Sequence, residues 1–200
     1  MNKKRILIAC EFSGVVRDAF TRAGWDAWSC DLLPSEKPGN HYLGDVRHII
    51  NEGWDMMIAH PPCTYLCNSG VSWLSKKPGR WEKLIDAANF FRGISSASIP
   101  RICVENPIMH GHAKKLIGIE QPQTIQPWMF GHTESKATCL WLKNLPPLIP
   151  TKIVKTEMMK LPVSQRQRLH YLPPGPQRAK IRSMTYPGIA EAMAAQWGVL

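Results

Sequence analysis

Two short motifs carry reactive side chains. Cys63 follows Pro61-Pro62 just after the apolar run Met56-Met57-Ile58-Ala59, and Glu105-Asn106-Pro107 follows the run Arg101-Ile102-Cys103-Val104. A thiol attacks as its thiolate and ordinarily ionises at a pKa of about 8.5, so a cysteine needs help from its surroundings to become a nucleophile. The two prolines fix the backbone and remove N–H groups, which gives Cys63 a rigid turn. On that motif alone, an inert packed cysteine is the better reading. Glu105 changes the balance, because a carboxyl group in the same cleft can share a proton with a ring nitrogen of a base. A thiolate adds to C6 of cytosine only when hydrogen bonding or protonation at N3 makes the ring electron-poor. The adduct is then nucleophilic at C5 and open to a methyl group from a sulfonium donor.

The elements that must position these groups are legible as runs. Arg5-Ile6-Leu7-Ile8-Ala9 is apolar without alternation, as in a strand covered on both faces. Glu11-Phe12-Ser13-Gly14 turns, and Val15 to Ala23 has helical spacing that stops at Gly24. Asp26 to Cys30 predicts a second strand ending at Asp31, Asp45 opens a short helix through Ile49-Ile50, and Met56–Ala59 is a third strand. Trp81, Leu84, Ala88 and Phe91 mark one face of a helix over Arg80 to Ile94. Further strands are expected at 101–104 and 138–142, and a closing helix at 189–197. Strands alternating with helices predict a mostly parallel sheet covered on both faces. In such sheets ligands sit beyond the carboxyl ends of the strands, where Phe12, Asp31, Cys63 and Glu105 fall.

Composition agrees with one globular domain: 200 residues, 44% hydrophobic and 20% charged. No apolar stretch reaches the roughly 18 residues of a membrane span, and no membrane partner is expected. Six cysteines without a paired framework read as reduced thiols in a cytoplasmic setting. His60, Cys63 and Cys67 lie close together and His110 and His112 flank a glycine, but no second Cys-x-x-Cys pair accompanies them, so no metal is expected. The net charge of +10, from 25 basic and 15 acidic residues, favours a polyanionic partner. Lys152 to Arg182 holds eight of those basic residues, one acid (Glu157) and four prolines. That stretch reads as a phosphate-contacting arm rather than a bare solvated loop.

With these residues in place, the chain resembles the catalytic domain of cytosine-C5 DNA methyltransferases over roughly residues 5 to 142. Pro62-Cys63 matches the nucleophile dipeptide, the stretch to Ser69-Gly70 keeps the spacing of the catalytic loop, and Glu105-Asn106 matches the glutamate-asparagine pair. Phe12-Ser13-Gly14 stands at the donor-binding turn, Asp31 where an acid meets the ribose of S-adenosylmethionine, and Asp45 where an acid meets the adenine amine. Lys136, in Glu134 to Thr138, stands at the family's base-holding arginine strand. Tyr186 to Ala190 faintly echoes the closing motif. An amino-methyltransferase would place an aromatic where Cys63 stands.

The resemblance implies a seven-stranded Rossmann-like methyltransferase sheet, S-adenosylmethionine as cofactor, and a flipped cytosine as substrate. Cys63, Glu105, Asn106 and Lys136 would be catalytic. Phe12, Ser13, Gly14, Asp31, Asp45 and Pro62 would hold the donor. Ser69, Arg166, Arg168, Arg178, Lys180 and Arg182 would meet DNA. The expected organisation is a catalytic domain over 1–150, a basic Pro-rich arm over 151–185 in place of a full target-recognition domain, and a closing helix over 186–200. A homodimer or a protein partner would supply target specificity. Short chains of this type belong to phages and prophages, in a bacterial cytoplasm. Two other readings stay open: a DNA-binding relative without methyl transfer, and a thiolate enzyme acting on another pyrimidine or nucleotide.

Overall fold

The computed structural model describes residues 3–200. Seven strands form one sheet: β1 (Arg5–Ala9), β2 (Asp26–Asp31), β3 (His41–Leu43), β4 (Met56–Ala59), β5 (Arg101–Pro107), β6 (Gln123–Ile125) and β7 (Thr138–Lys143). Their order is β3-β2-β1-β4-β5-β7-β6, with β7 antiparallel to both of its neighbours and the others parallel. This is the seven-stranded, mostly parallel, Rossmann-like sheet expected from the sequence.

Among the described residues eight α-helices accompany it: α1 (Val15–Arg22), α2 (Arg80–Ser95), α3 (Gly111–Ile117), α4 (Lys155–Met159), α5 (Val163–Arg166), α6 (Arg168–Tyr171), α7 (Pro176–Ser183) and α8 (Pro187–Trp197). The alternating side chains of the central strands enter two separate cores. Ile6, Ile8, Met56 and Ile58 pack with Val16 and Phe20 of α1 and Met193 and Trp197 of α8. Leu7, Ala9, Met57 and Ala59 pack with Leu84 and Phe91 of α2 and Ile117 of α3. Burial on both faces is why these strands are apolar at every position.

Several expectations need correction. Strand β5 runs to Pro107 rather than ending at Val104, because β7 pairs with it beyond the point where β4 stops: Glu105 faces Leu140 and Asn106 faces Cys139. The helix expected after Asp45 is a single 3₁₀ turn, Val46–His48, capped by the Asp45 carboxylate accepting from Arg47 N. Trp81 leaves the buried face of α2; it sits in the first turn, edge-on to His112, and is 44% exposed. Strands β3 and β6, three residues each, give no periodic signal to read. The 152–182 stretch is four short helices, and Leu169, Leu172 and Ile181 reach the same core as α1 and α8.

Among the described residues no helix is long and apolar enough to cross a membrane. All six cysteines are free thiols.

Candidate active site

The register of β4 and β5 builds the centre of the site. Ala59 pairs with Val104, so the next residue on each strand, His60 and Glu105, emerge side by side. His60 Nδ1 donates to Glu105 Oε2 at 3.1 Å, and the two side chains are 7% and 17% exposed. His60 Nε2 is buried without a partner. Burial alone would raise the Glu105 pKa. The hydrogen bond from His60 and the nearby charges of Lys136 and His60 outweigh it, and the carboxyl is held below its usual range.

Cys63 begins a helical turn in which Leu66 N and Cys67 N both donate to Cys63 O, at 2.9 and 3.0 Å. Three residues distant in sequence hold that turn. Asn106, 1% exposed, donates from Nδ2 to Pro61 O at 2.8 Å. His110 accepts from Ala113 N at its Nδ1, so its Nε2 carries the proton and donates to Tyr65 O at 3.0 Å; its own N–H donates to Leu66 O. Arg80 donates to Thr64 O at 3.3 Å.

The thiols of Cys63 and Cys67 influence each other's ionisation. Cys67 is lowered to about 5, chiefly because the Cys63 S–H donates to it, against the cost of burial; Ser69, whose Oγ lies 3.0 Å away, adds support. Cys63 is pushed up by that donated bond, by burial and by the negative charges of Cys67 and Glu105, with Lys136 opposing. The two thiols therefore titrate as a pair, with Cys67 the more readily ionised sulfur and Cys63 the less.

Lys136 stands within the field of both Cys63 and Glu105, where its charge favours both anions. Its ammonium donates to Arg182 O at 2.9 Å at the end of α7. A crevice lined by Glu105, Lys136, Thr138, Tyr186 and Ile189 opens beside them. A broader, shallow groove at Lys3, Arg5, Trp25 and Asn40 lies at the amino end of the sheet, away from this chemistry.

The residues expected to hold a donor gather at the carboxyl ends of β1 and β2. Gly14 takes φ +69° and starts α1. Glu11, buried, accepts from Val16 N at 2.8 Å, Arg17 N at 3.2 Å and Ser13 Oγ at 3.2 Å, so this carboxylate already fills the start of α1. Phe12 and Ser13 are buried in the turn. Asp31 accepts from Leu33 N at 2.9 Å, and burial raises its pKa despite that bond. Beside it Leu32, Leu33 and Leu43 are exposed. A carboxylate next to bare apolar side chains fits a ribose diol and a purine face, so these residues suit a nucleoside-type donor. Asp45 is forked by Arg47, and that contact lowers its pKa to about 2. Pro62 is exposed and leads into the Cys63 turn.

The expected DNA contacts are dispersed. Arg168 pairs with Glu134 at 3.1 Å, and Glu134 also accepts from the Tyr186 hydroxyl at 2.9 Å. Lys180 pairs with Glu36 and lies over the Phe12 ring, which brings α7 against the donor turn. Arg178 donates to His170 O, Arg182 to Leu169 O and Arg166 to Met159 Sδ. Ser69 serves Cys67.

Among the solved structures similar to this chain are three methyltransferases. The Entamoeba histolytica methyltransferase EhMeth covers 76% of it and 58% of its own length, at 13% identity and a TM-score of 0.46. The S. pombe Dnmt2 methyltransferase covers 83% of it and 57% of its own length, at 13% identity and a TM-score of 0.43. An rRNA methylase from Escherichia coli covers 70% and 57%, at 15% identity and a TM-score of 0.38. The chain thus spans less than two thirds of each. No family model and no curated protein matches the sequence.

Sequence reasoning missed four contributors. His60 and His110 were weighed only as metal ligands, yet one holds Glu105 and the other holds the Cys63 turn; among the described residues no group of three or more His, Cys, Asp or Glu could hold a metal ion. Cys67, also weighed as a metal ligand, and Glu11, which carried no signal beyond lying near Gly14, have partners that are backbone groups or side chains fixed by the folded turn.

Proposed function

We propose that this protein methylates cytosine at C5 in DNA, through a covalent bond from Cys63 Sγ to C6. The observation that carries this reading is the convergence of Cys63, Glu105 and Lys136 beyond the ends of β4 and β5, with His60 and Asn106 bracing the two motifs against each other.

Asp31 with Leu32, Leu33 and Phe12 would hold S-adenosylmethionine, which when bound supplies the sulfonium methyl that C5 of the adduct accepts. The remaining chemistry belongs to this chain. Cys63 releases its proton through Cys67 to water as its sulfur adds to C6, and the C5=C6 electron pair moves toward C5 and N3. As charge reaches N3 water protonates it, and the ionised Glu105 carboxylate accepts the hydrogen bond from N3–H, while His60 and Lys136 hold that carboxylate ionised. Water then takes the C5 proton and the proton added at N3, the C5=C6 double bond is restored, and the Cys63 sulfur leaves and recovers its proton.

The test is a trap. DNA containing 5-fluorocytosine, incubated with S-adenosylmethionine, should form a complex that survives denaturation with wild type and none with Cys63→Ala. Identical behaviour of the two proteins would remove the reading.

A DNA-binding protein without methyl transfer is the second reading. It is favoured by the Asp45–Arg47 fork and by the Glu11 carboxylate that fills the start of α1. Calorimetry separates the two: the methyltransferase binds S-adenosylhomocysteine, and Asp31→Ala weakens that binding at least tenfold.

A further inference from the structure

We infer that the face formed by the loop after Cys63 and the start of α2 binds unpaired DNA, stacking bases on Trp73 and Trp81 and neutralising phosphates with Lys76, Lys77, Arg80 and Lys83. The inference rests on the proposed reading for the identity of the polymer as DNA.

Trp73 and Trp81 are 43% and 44% exposed, unusual for the largest apolar side chain in a folded domain. Each aromatic ring here has a cation or imidazole against it. Lys77 Nζ lies 4.6 Å and Lys76 Nζ 6.0 Å from the Trp73 ring, Arg80 lies 4.7 Å and Lys83 5.9 Å from Tyr65, and Trp81 meets His112 at 5.1 Å. Aromatic platforms interleaved with cations are the chemistry that holds single strands, because every unpaired base offers a π-face and every nucleotide a phosphate.

Charge supports the same partner. From Thr64 to Lys83 the chain has four basic residues and one acid, Glu82. Among the described residues none of those four cations meets a carboxylate, whereas Arg168 and Lys180 of the 151–185 stretch do. Arg80 also keeps a buried Nε without a partner. Arg80 ties this face to the nucleophile through Thr64 O, so a strand lying on it is delivered to Cys63. A duplex hides the π-faces that the two tryptophans would take, which is why the unpaired strand is favoured.

The experiment is fluorescence anisotropy with the full chain and labelled oligothymidylate, which has no cytosine and so reports binding apart from chemistry. Its duplex with oligodeoxyadenylate and an oligouridylate of the same length are the comparison arms. The expected result is at least tenfold tighter binding of oligothymidylate than of either. Trp73→Ala and Trp81→Ala should each weaken it about tenfold, and Trp73→Phe should recover most of the loss. Neutralising Lys76, Lys77 and Lys83 to Gln should flatten the logarithmic salt slope by about 2. Equal or tighter duplex binding, preference for the RNA strand, or unchanged affinity in both tryptophan variants would overturn the inference. So would a salt slope that responds to Arg166→Gln and Arg178→Gln but not to the Lys76 group. A failed 5-fluorocytosine trap with this binding pattern intact sinks the methyltransferase reading and leaves the face standing; a successful trap with tryptophan variants that bind normally does the reverse.

Discussion

Glu105 is a carboxylate that is taken out of water and still stays ionised. Its stabilisation comes from one hydrogen bond at 3.1 Å and from the Lys136 charge. Because its folded pKa is depressed, the stability it contributes is present above the ordinary carboxylate range and is lost as pH falls through the depressed value. His60→Ala removes the bond and should raise the Glu105 pKa. The acid limb of activity should shift to higher pH and stability at neutral pH should fall by about 2 kcal/mol. His60→Asn, which can still donate from near the Nδ1 position, should recover much of both. A pH–rate profile and urea unfolding at pH 7 check this, and an unmoved acid limb in His60→Ala would show that His60 does not act on Glu105.

The Cys63–Cys67 pair makes a second prediction at the same scale. Thiolate absorbance near 240 nm should rise in wild type around the value of about 5 to which Cys67 is lowered. That step should vanish in Cys67→Ser, where the sulfur that takes the Cys63 proton is gone. A step that persists would place the easily ionised thiol elsewhere.

Among the elements, the turn between β1 and α1 shows how closely local geometry is tied to distant loops. Arg17 of α1 is 1% exposed, and its guanidinium donates to Ser29, Ser35 and the carbonyls of Lys37 and Pro38. It thereby holds the loop after Asp31 against the sheet. Gly14 leaves room for it: a Cβ there would stand 2.5 Å from Arg17 Nη2, on a backbone with φ +69°. Gly14→Ala should therefore cost about 2 kcal/mol and weaken donor binding through the displaced loop. Chemical denaturation and calorimetry with S-adenosylhomocysteine measure the two effects. The alternation of β1, β4 and β5 with helices was readable in the sequence because each strand is apolar at every position. The extension of β5 through Glu105 was not, since it depends on pairing with β7, more than thirty residues further along the chain.

For the whole molecule, the 151–185 stretch behaves as part of one core. Leu169, 8% exposed, packs with residues of the sheet, α1 and α8. Leu169→Ala should lower global stability by about 2 to 3 kcal/mol while unfolding stays a single transition. An unchanged main transition with a separate early one would make the stretch an independent arm.

Residue type and short-range spacing determined much of this protein on their own. The buried strands, the helices α1, α2 and α8, the carboxyl-end placement of Cys63 and Asp31, and the pairing of a cysteine with Glu105-Asn106 all follow from hydrophobic runs and neighbouring residues. What only the tertiary structure decided are contacts between groups far apart in sequence. His60 meets Glu105 across 45 positions, His110 clamps Tyr65, and Lys180 meets Glu36 instead of standing free. The physical reason is that a side chain's ionisation and orientation depend on its neighbours in space. Strand register brings those neighbours together, and a linear pattern of residue types does not contain it.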